Sequence, residues 1–89
     1  MPSAFDVVSD PARRQLLDLM RSEPRAVGEL ANATGMSQPN TSRHLRILRE
    51  AGMVSSRASG RRRVYELRPE GFAELVGWLT PYALLATRP

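Results

Sequence analysis

Apolar residues recur every three or four positions along the first half of the chain, which is the spacing of one helix face. Polar residues, prolines and glycines separate these runs. Asp10 followed by Pro11 is typical of a helix start, because aspartate accepts hydrogen bonds from free backbone N–H groups and proline has none to satisfy. Ser37 is a similar start signal, and Gly35 suits the turn after a helix end. The pattern predicts helices at about 3–9, 11–21, 26–33 and 38–51.

The second half of the chain favours strands first and then returns to helical spacing. Val54, Val64 and Tyr65 favour extended structure, and Ser59-Gly60 supplies a turn between them. These signals predict two strands, at about 53–57 and 63–67. A C-terminal helix is predicted at about 69–86, with a possible kink at 80–81 where Thr80 precedes Pro81. The predicted fold is therefore mainly α with a small two-stranded β-hairpin, in the order α-α-α-α-β-β-α, as a single domain over 1–89.

The predicted inward positions are apolar and follow the helical spacing. Met36 and Met53 are interpreted as fillers of gaps in the core. The positions predicted to face the core are Leu16, Leu17, Met20, Val27, Leu30, Ala31, Leu45, Leu48 and Ala51.

The last predicted helix carries more apolar surface than a core of this size can absorb. Packing onto the first helix of the same chain is the ordinary interpretation. We favour packing against a second copy, because twofold dimers are the commonest assembly and bury an isologous patch of this kind. The predicted dimer residues are Phe5, Val8, Phe72, Leu75, Val76, Trp78, Leu79, Tyr82 and Leu85.

Residues 27–54 read as a helix, a glycine-containing turn and a capped second helix, the order of a helix-turn-helix. In the second helix, residues 38, 42 and 46 lie four apart and form one polar stripe. A helix fits the DNA major groove, where each base pair presents a distinct hydrogen-bonding pattern. The alternative is an ordinary solvated helix face. The candidate DNA-binding residues here are Ser37, Gln38, Pro39, Asn40, Ser42, Arg43 and Arg46.

Four arginines on the predicted hairpin add a second candidate contact with DNA. They are Arg57, Arg61, Arg62 and Arg63. Side chains alternate along a strand, so these four cannot all share one face. Those at the tip could reach the minor groove or flanking phosphates, whereas the alternative is a charged tip that protects a sheet edge. Together with the helix-turn-helix, the hairpin favours binding to double-stranded DNA.

Charge and residue usage narrow the possible functions. The net charge is +4, and every one of the 13 basic residues is arginine, which grips phosphates and guanine edges bidentately. The chain has no cysteine, and its one histidine, His44, is interpreted as a surface or phosphate-contacting residue. No set of residues forms a catalytic or metal-binding constellation, so we expect no enzyme activity, no cofactor and no metal. Without a signal peptide or a membrane-length apolar run, we expect a cytoplasmic protein with no membrane partner.

The sequence resembles the ArsR/SmtB-type winged helix-turn-helix transcriptional regulators over about residues 4–79. The resemblance lies in four segments that match the opening of the family, its recognition helix, the exit from that helix, and its wing. They are residues 5–14, 37–45, 48–54 and 60–65.

The resemblance implies homodimers formed through the first and last helices, and repression by covering a palindromic operator. Gln38, Pro39, Ser42 and Arg43 match DNA-facing positions, and Thr41 matches a half-buried one. The alternatives left open are a protein-interaction module and a transcriptional activator with a non-metal input.

Departures from the family pattern concern metal sensing. Metal-sensing members carry a cysteine pair before the recognition helix, where this chain has residues 29–33 without a thiol. Other members bind metal through Asp and His on the last helix, which here has Glu70 and Glu74 but no histidine. The sequence is therefore predicted to belong to the metal-independent branch, and no residue marks its effector. Arg68 stands in place of the small capping residue expected before Pro69.

Overall fold

The computed structural model describes residues 2–89 and contains, within them, five α-helices and a three-stranded antiparallel sheet. The helices are α1 (Ala4–Ser9), α2 (Pro11–Leu19), α3 (Val27–Thr34), α4 (Gln38–Glu50) and α5 (Ala73–Ala86). The strands are β1 (Arg25–Ala26), β2 (Val54–Ser59) and β3 (Arg62–Leu67). The mainly helical fold class predicted from the sequence is confirmed, but the prediction of only two strands is wrong.

Side-chain caps begin the helices that position the rest of the fold. Asp10 accepts hydrogen bonds from the backbone N–H groups of Ala12 and Arg13 at the start of α2. Ser37 accepts from the N–H of Asn40 at the start of α4. These bonds satisfy donors that have no partner within the helix. The two helices therefore begin where the sequence signals them.

Glycines make the two turns that define the central motif. Gly35 has φ of 77° and ends α3, and Gly60 has φ of 62° in the turn between β2 and β3. Ser59 pairs with Arg62, so the connection is the two residues Gly60 and Arg61 rather than Ser59-Gly60. A positive φ at the first of two turn residues suits glycine and matches the twist of the paired strands. The hairpin over residues 54–67 is called the wing below.

Strand β1 was missed because two residues are too short to show an alternating pattern. Arg25 pairs with Tyr65 and Ala26 with Val64, which places β3 in the middle of the sheet. Ala26 was expected inside the third helix, but it is the N-cap of α3 instead. The entry to α3 is thereby joined directly to the wing.

The segment before α5 is also tighter than predicted. Residues Pro69–Phe72 form a 3-10 turn, and α5 begins only at Ala73 and continues through Pro81. Gly71 lies against the backbone of Gly52, where an added Cβ would be 2.1 Å from the carbonyl oxygen. Glycine is therefore required here by close packing, which fixes the wing end beside the end of α4.

The core forms between α1, α2, the helix-turn-helix of α3 and α4, and the sheet. Thr41 is fully buried rather than half-buried, and its hydroxyl donates to the Ser37 carbonyl at 2.9 Å. The prediction that His44 lies on the surface is wrong, since it is only 6% exposed. It lies on the inner side of α4, one position before Leu45. The buried apolar residues are Val7, Leu16, Leu17, Met20, Ala26, Leu30, Ala31, Leu45, Leu48, Met53, Val54 and Tyr65, with Met36 and Ala51 half-buried beside them.

Within residues 2–89, no helix is both long enough and apolar enough to cross a bilayer.

Candidate nucleic-acid interface

The first two turns of α4 present polar side chains to solvent. Asn40 is half-buried, and its side-chain oxygen accepts a hydrogen bond from Arg43 Nη2 at 2.7 Å. The side-chain nitrogen of Asn40 lies 3.4 Å from the Met36 sulfur, so the amide is held from both ends. Arg43 is thereby held close to α4 while staying exposed. The remaining predicted residues of this surface, all exposed, are Ser37, Gln38, Pro39, Ser42 and Arg46.

The last turns of α4 carry arginines that have partners within the chain. Arg46 forms an ion pair with Glu50 at 3.7 Å. Arg49 donates to the Ser56 hydroxyl at 3.5 Å, a contact between α4 and β2. Because the Arg46–Glu50 pair is exposed and loosely spaced, it contributes little and leaves the guanidinium available.

The strand register divides the wing arginines between two faces. Arg57 pairs with Val64, and Ala58 pairs with Arg63. Since cross-strand partners share a face and neighbours alternate, Arg57 and Arg62 lie on the Val64 face, and Arg63 lies on the Tyr65 face. Arg61 lies in the turn. All four arginines are exposed.

One groove joins the start of α4 to the tip of the wing. Its volume is about 420 Å³, and its lining includes Gln38 of α4 and Arg61, Arg62 and Arg63 of the wing. The start of α3, residues 26–29, lines it as well. The two elements predicted to contact DNA therefore border a common surface.

Glu29 was not singled out by the sequence, yet it connects two parts of this surface. Its Oε1 accepts a hydrogen bond from the Ala26 N–H at 3.1 Å and also pairs with Arg62 Nη2. The backbone hydrogen bond from Ala26 lowers the pKa of Glu29, and the charges of Arg62 and Arg25 lower it further. The carboxylate is therefore ionised at neutral pH. The one sequence signal for this role is a glutamate three residues after a helix start, a spacing at which its side chain can accept a hydrogen bond from the backbone N–H of the N-cap residue.

A buried polar group lies on the other side of α4. Arg13 Nη1 is 3.4 Å from His44 Nδ1, and Arg13 Nε donates to the Val7 carbonyl at 2.7 Å. Burial lowers the pKa of His44, the Asp10 carboxylate opposes that shift, and the Arg43 and Arg13 charges add to it. Because arginine can only donate, the neutral imidazole accepts at Nδ1. His44 therefore positions α4 and is not available to phosphate.

Exposed apolar side chains of α1 and α5 form a second surface, called the apolar face below. Phe5 and Trp78 meet edge to face with ring centroids 5.8 Å apart, and Trp78 and Tyr82 lie 5.1 Å apart. Trp78 is 57% exposed and Tyr82 is 55% exposed. The other exposed predicted dimer residues are Val76, Leu79 and Leu85, whereas Val8, Phe72 and Leu75 pack partly against the core of their own chain.

An open apolar groove of about 610 Å³ separates α2 from α5. Leu17, Phe72 and Leu75 are among its lining residues, and Arg14 and Arg21 lie at its edge. No sequence signal marked it. No group of three or more potential metal ligands occurs within residues 2–89.

Comparison with known proteins identifies the family. Residues 10–56, more than half of the 89-residue chain, match the family described as bacterial regulatory protein, arsR family. The chain is 42% identical over 72 residues to the HTH-type transcriptional regulator Rv2034 of Mycobacterium tuberculosis, covering 81% of this chain and 67% of that protein. It is 32% identical over 79 residues to the transcriptional repressor SdpR of Bacillus subtilis, covering 89% and 88%.

A solved structure supports the same assignment. The homodimeric winged helix-turn-helix DNA-binding domain Mb0332 from Mycobacterium bovis, a possible ArsR-family transcriptional regulator, superposes with a TM-score of 0.71. The two are 34% identical, and the match covers 86% of this chain and 71% of that one. The chain therefore belongs to the arsR family of bacterial regulatory proteins, and it is a winged helix-turn-helix transcriptional regulator.

Proposed function

We propose that this chain is a homodimeric repressor that binds a palindromic operator. In this proposal the start of α4 enters the major groove, and the wing arginines contact the minor groove or the backbone. The candidate contacts are Ser37, Gln38, Pro39, Asn40, Ser42, Arg43 and Arg46 on α4 and its cap, with Arg57, Arg61 and Arg63 on the wing. Arg62, the fourth arginine predicted on the wing, pairs with Glu29. Because its target is DNA, we place its action in the cytoplasm.

The shared groove between Gln38 and Arg61–Arg63 carries this proposal. A polar helix face and a basic hairpin can act on one duplex only if they lie on the same side of the domain. Their common border supports simultaneous contact. Exposed arginines supply the phosphate affinity, and the amides and Arg43 supply groups that pair with base edges.

The homodimer is supported by the apolar face of α1 and α5. Six large apolar residues of α5, including Trp78 and Tyr82, are at least half exposed, and α5 has no buried residue of its own. In a twofold dimer formed through this face, we expect the two α4 helices to enter successive major grooves about 10 base pairs apart, the usual spacing of helix-turn-helix dimers. The homodimeric relative from Mycobacterium bovis has the same fold. Repression is supported by the resemblance to SdpR.

A metal-independent input is the remaining part of the proposal. The sequence has no cysteine, and its one histidine is held by Arg13. Glu70 on the turn before α5 pairs with Arg68 at 2.7 Å. Transition metals prefer thiol and imidazole ligands, and the one imidazole of this chain is already in contact with Arg13.

Selection of duplexes from a random pool tests the function directly. We expect a recovered site with twofold symmetry and half-sites about one helical turn apart. Affinity for that site should fall steeply as salt is raised and should exceed affinity for random DNA by at least about a thousandfold. Recovery of unrelated sequences, bound no better than random DNA, would contradict the proposal.

A further inference from the structure

We propose that Glu29 is a positioning residue, which orients the wing relative to α4 through its ion pair with Arg62. In this inference Arg62 acts within the protein, while Arg61 and Arg63 contact DNA. The inference rests on the proposed DNA-binding function. It assigns different roles to three neighbouring arginines that sequence alone places in one group.

The strand pairing that connects the wing to β1 covers only two residues of each strand. Strand β1 pairs with β3 only at Arg25–Tyr65 and Ala26–Val64, because the chain then turns into α3. The outer part of the wing, residues 57–63, extends beyond that ladder. A two-stranded ribbon without further support twists and bends readily.

The ion pair lies where support is needed. Among the side-chain hydrogen bonds and ion pairs of residues 2–89, only Glu29–Arg62 joins residues 57–63 to the domain outside the wing. Arg62 lies on the Val64 face, the side paired through Ala26 to the entry of α3. Glu29 is itself fixed, because the same oxygen accepts the Ala26 N–H at 3.1 Å.

The Glu29–Arg62 pair lies beside the part of α4 that is proposed to recognise DNA. Glu29, Arg62 and Gln38 border the same groove, so movement of the wing changes the distance between the wing tip and the start of α4. DNA presents its two grooves at a set separation. The angle of the wing therefore affects specific binding more than general attraction to phosphates.

A carboxylate on a DNA-binding surface would otherwise oppose binding. A free glutamate here would repel phosphates, and its removal would tighten binding to any duplex. Pairing with Arg62 neutralises that charge. Positioning therefore predicts that removing the Glu29 charge lowers discrimination between DNA sequences, whereas simple repulsion predicts tighter binding to every duplex with discrimination unchanged.

The experiment compares Glu29→Gln, Arg62→Gln and the double variant with Arg61→Gln as the matched control. Glutamine can still accept the Ala26 N–H, so Glu29→Gln keeps the α3 cap and removes the charge. Arg62→Gln breaks the pair from the other side without touching the cap. Binding of each full-length chain to the selected operator and to a random duplex is measured across a salt series, and thermal unfolding verifies folding.

We expect Glu29→Gln and Arg62→Gln each to lower the ratio of specific to random affinity by about two- to fivefold, the range of an exposed ion pair. The double variant should lose no more than either single variant, because all three break the same contact. Arg62→Gln should leave the salt dependence of random-DNA binding unchanged. Arg61→Gln should reduce that slope by about one counterion.

Additive losses, a reduced salt slope for Arg62→Gln, or tighter operator binding by Glu29→Gln without loss of specificity would overturn the inference. In each of those outcomes the Arg61→Gln control should still show its expected reduction in salt slope. Failure of the proposed function is distinct, because wild type would then show no preferred site and Arg61→Gln would bind as wild type does.

Discussion

Arg13 on α2 and His44 on α4 meet in the interior, with Nη1 and Nδ1 3.4 Å apart. The same arginine donates to the Val7 carbonyl at the end of α1 at 2.7 Å. One guanidinium therefore joins α1, which carries Phe5 of the apolar face, to α4, which carries the polar residues proposed to face DNA. The contact requires a neutral imidazole, because a protonated ring cannot accept at Nδ1.

We expect stability to fall as pH drops from 7 to 5.5. The pKa of His44 is lowered in the folded state, mainly by burial, from an unfolded value near 6.5. The unfolded chain therefore binds more protons, and this stability is full above the unfolded pKa and is lost as pH falls toward the folded one. Urea unfolding at the two pH values measures the effect, and His44→Asn should remove most of the difference.

Asp10 and Asp6 do not account for that range. Burial raises the pKa of Asp10, but the hydrogen bonds from Arg13 and Ala12 and the charge of Arg13 together lower it, and the Ser3 backbone hydrogen bond lowers the pKa of Asp6. Both groups stay ionised until pH falls well below 5. An equal drop in His44→Asn and wild type would show that another group is responsible.

Gly71→Ala should destabilise the fold by about 1–3 kcal/mol or more, since the added Cβ would lie 2.1 Å from the Gly52 carbonyl oxygen. Gly28→Ala is the matched control, because nothing lies within 4 Å of a Cβ there. That control should be neutral or slightly stabilising, because alanine favours helix. Thermal unfolding compares them, and equal stabilities would contradict the close packing.

Arg43→Ala should weaken operator binding by about 1–3 kcal/mol, the range of a bidentate base contact, with a smaller effect on random DNA. Arg43 is exposed on α4, and its guanidinium donates a hydrogen bond to the Asn40 side chain at 2.7 Å. This contact holds the guanidinium on the face of α4 that is proposed to meet base edges. Arg21→Ala is the control, because it removes the same charge from the α2–α5 groove. Titrations at fixed salt separate the two, and equal losses for both variants would indicate a purely electrostatic role.

Trp78→Arg should convert the proposed dimer to monomers at micromolar concentration. Trp78 is 57% exposed and contacts Phe5 and Tyr82, so it lies at the centre of the apolar face. Loss of a central aromatic anchor costs about 2 kcal/mol or more of association energy. Ala73→Arg adds the same charge at an exposed position outside the predicted interface. Sedimentation compares the two, and a Trp78→Arg chain that remains dimeric would exclude this face as the interface.

Several features of this protein follow from sequence alone because they depend on local chemistry. Asp10-Pro11 and Ser37 place helix starts through side chains that satisfy neighbouring N–H groups. The spacing of Leu45 and Leu48 marks the buried side of α4, so the opposite polar side could be identified. The roles of individual residues toward DNA and a second copy remain predictions.

Only the tertiary structure decided how these elements meet. Strand β1 exists because Arg25 and Ala26 pair with residues 64–65, which no local pattern can indicate. His44 is buried where α4 packs against α2 and Arg13 lies beside the ring, although a lone histidine on a polar helix is expected to be exposed. Glu29 meets Arg62, 33 residues away, because β1 brings α3 to the wing. Local signals determine where helices start and stop, whereas contacts between distant residues arise only when the whole chain packs.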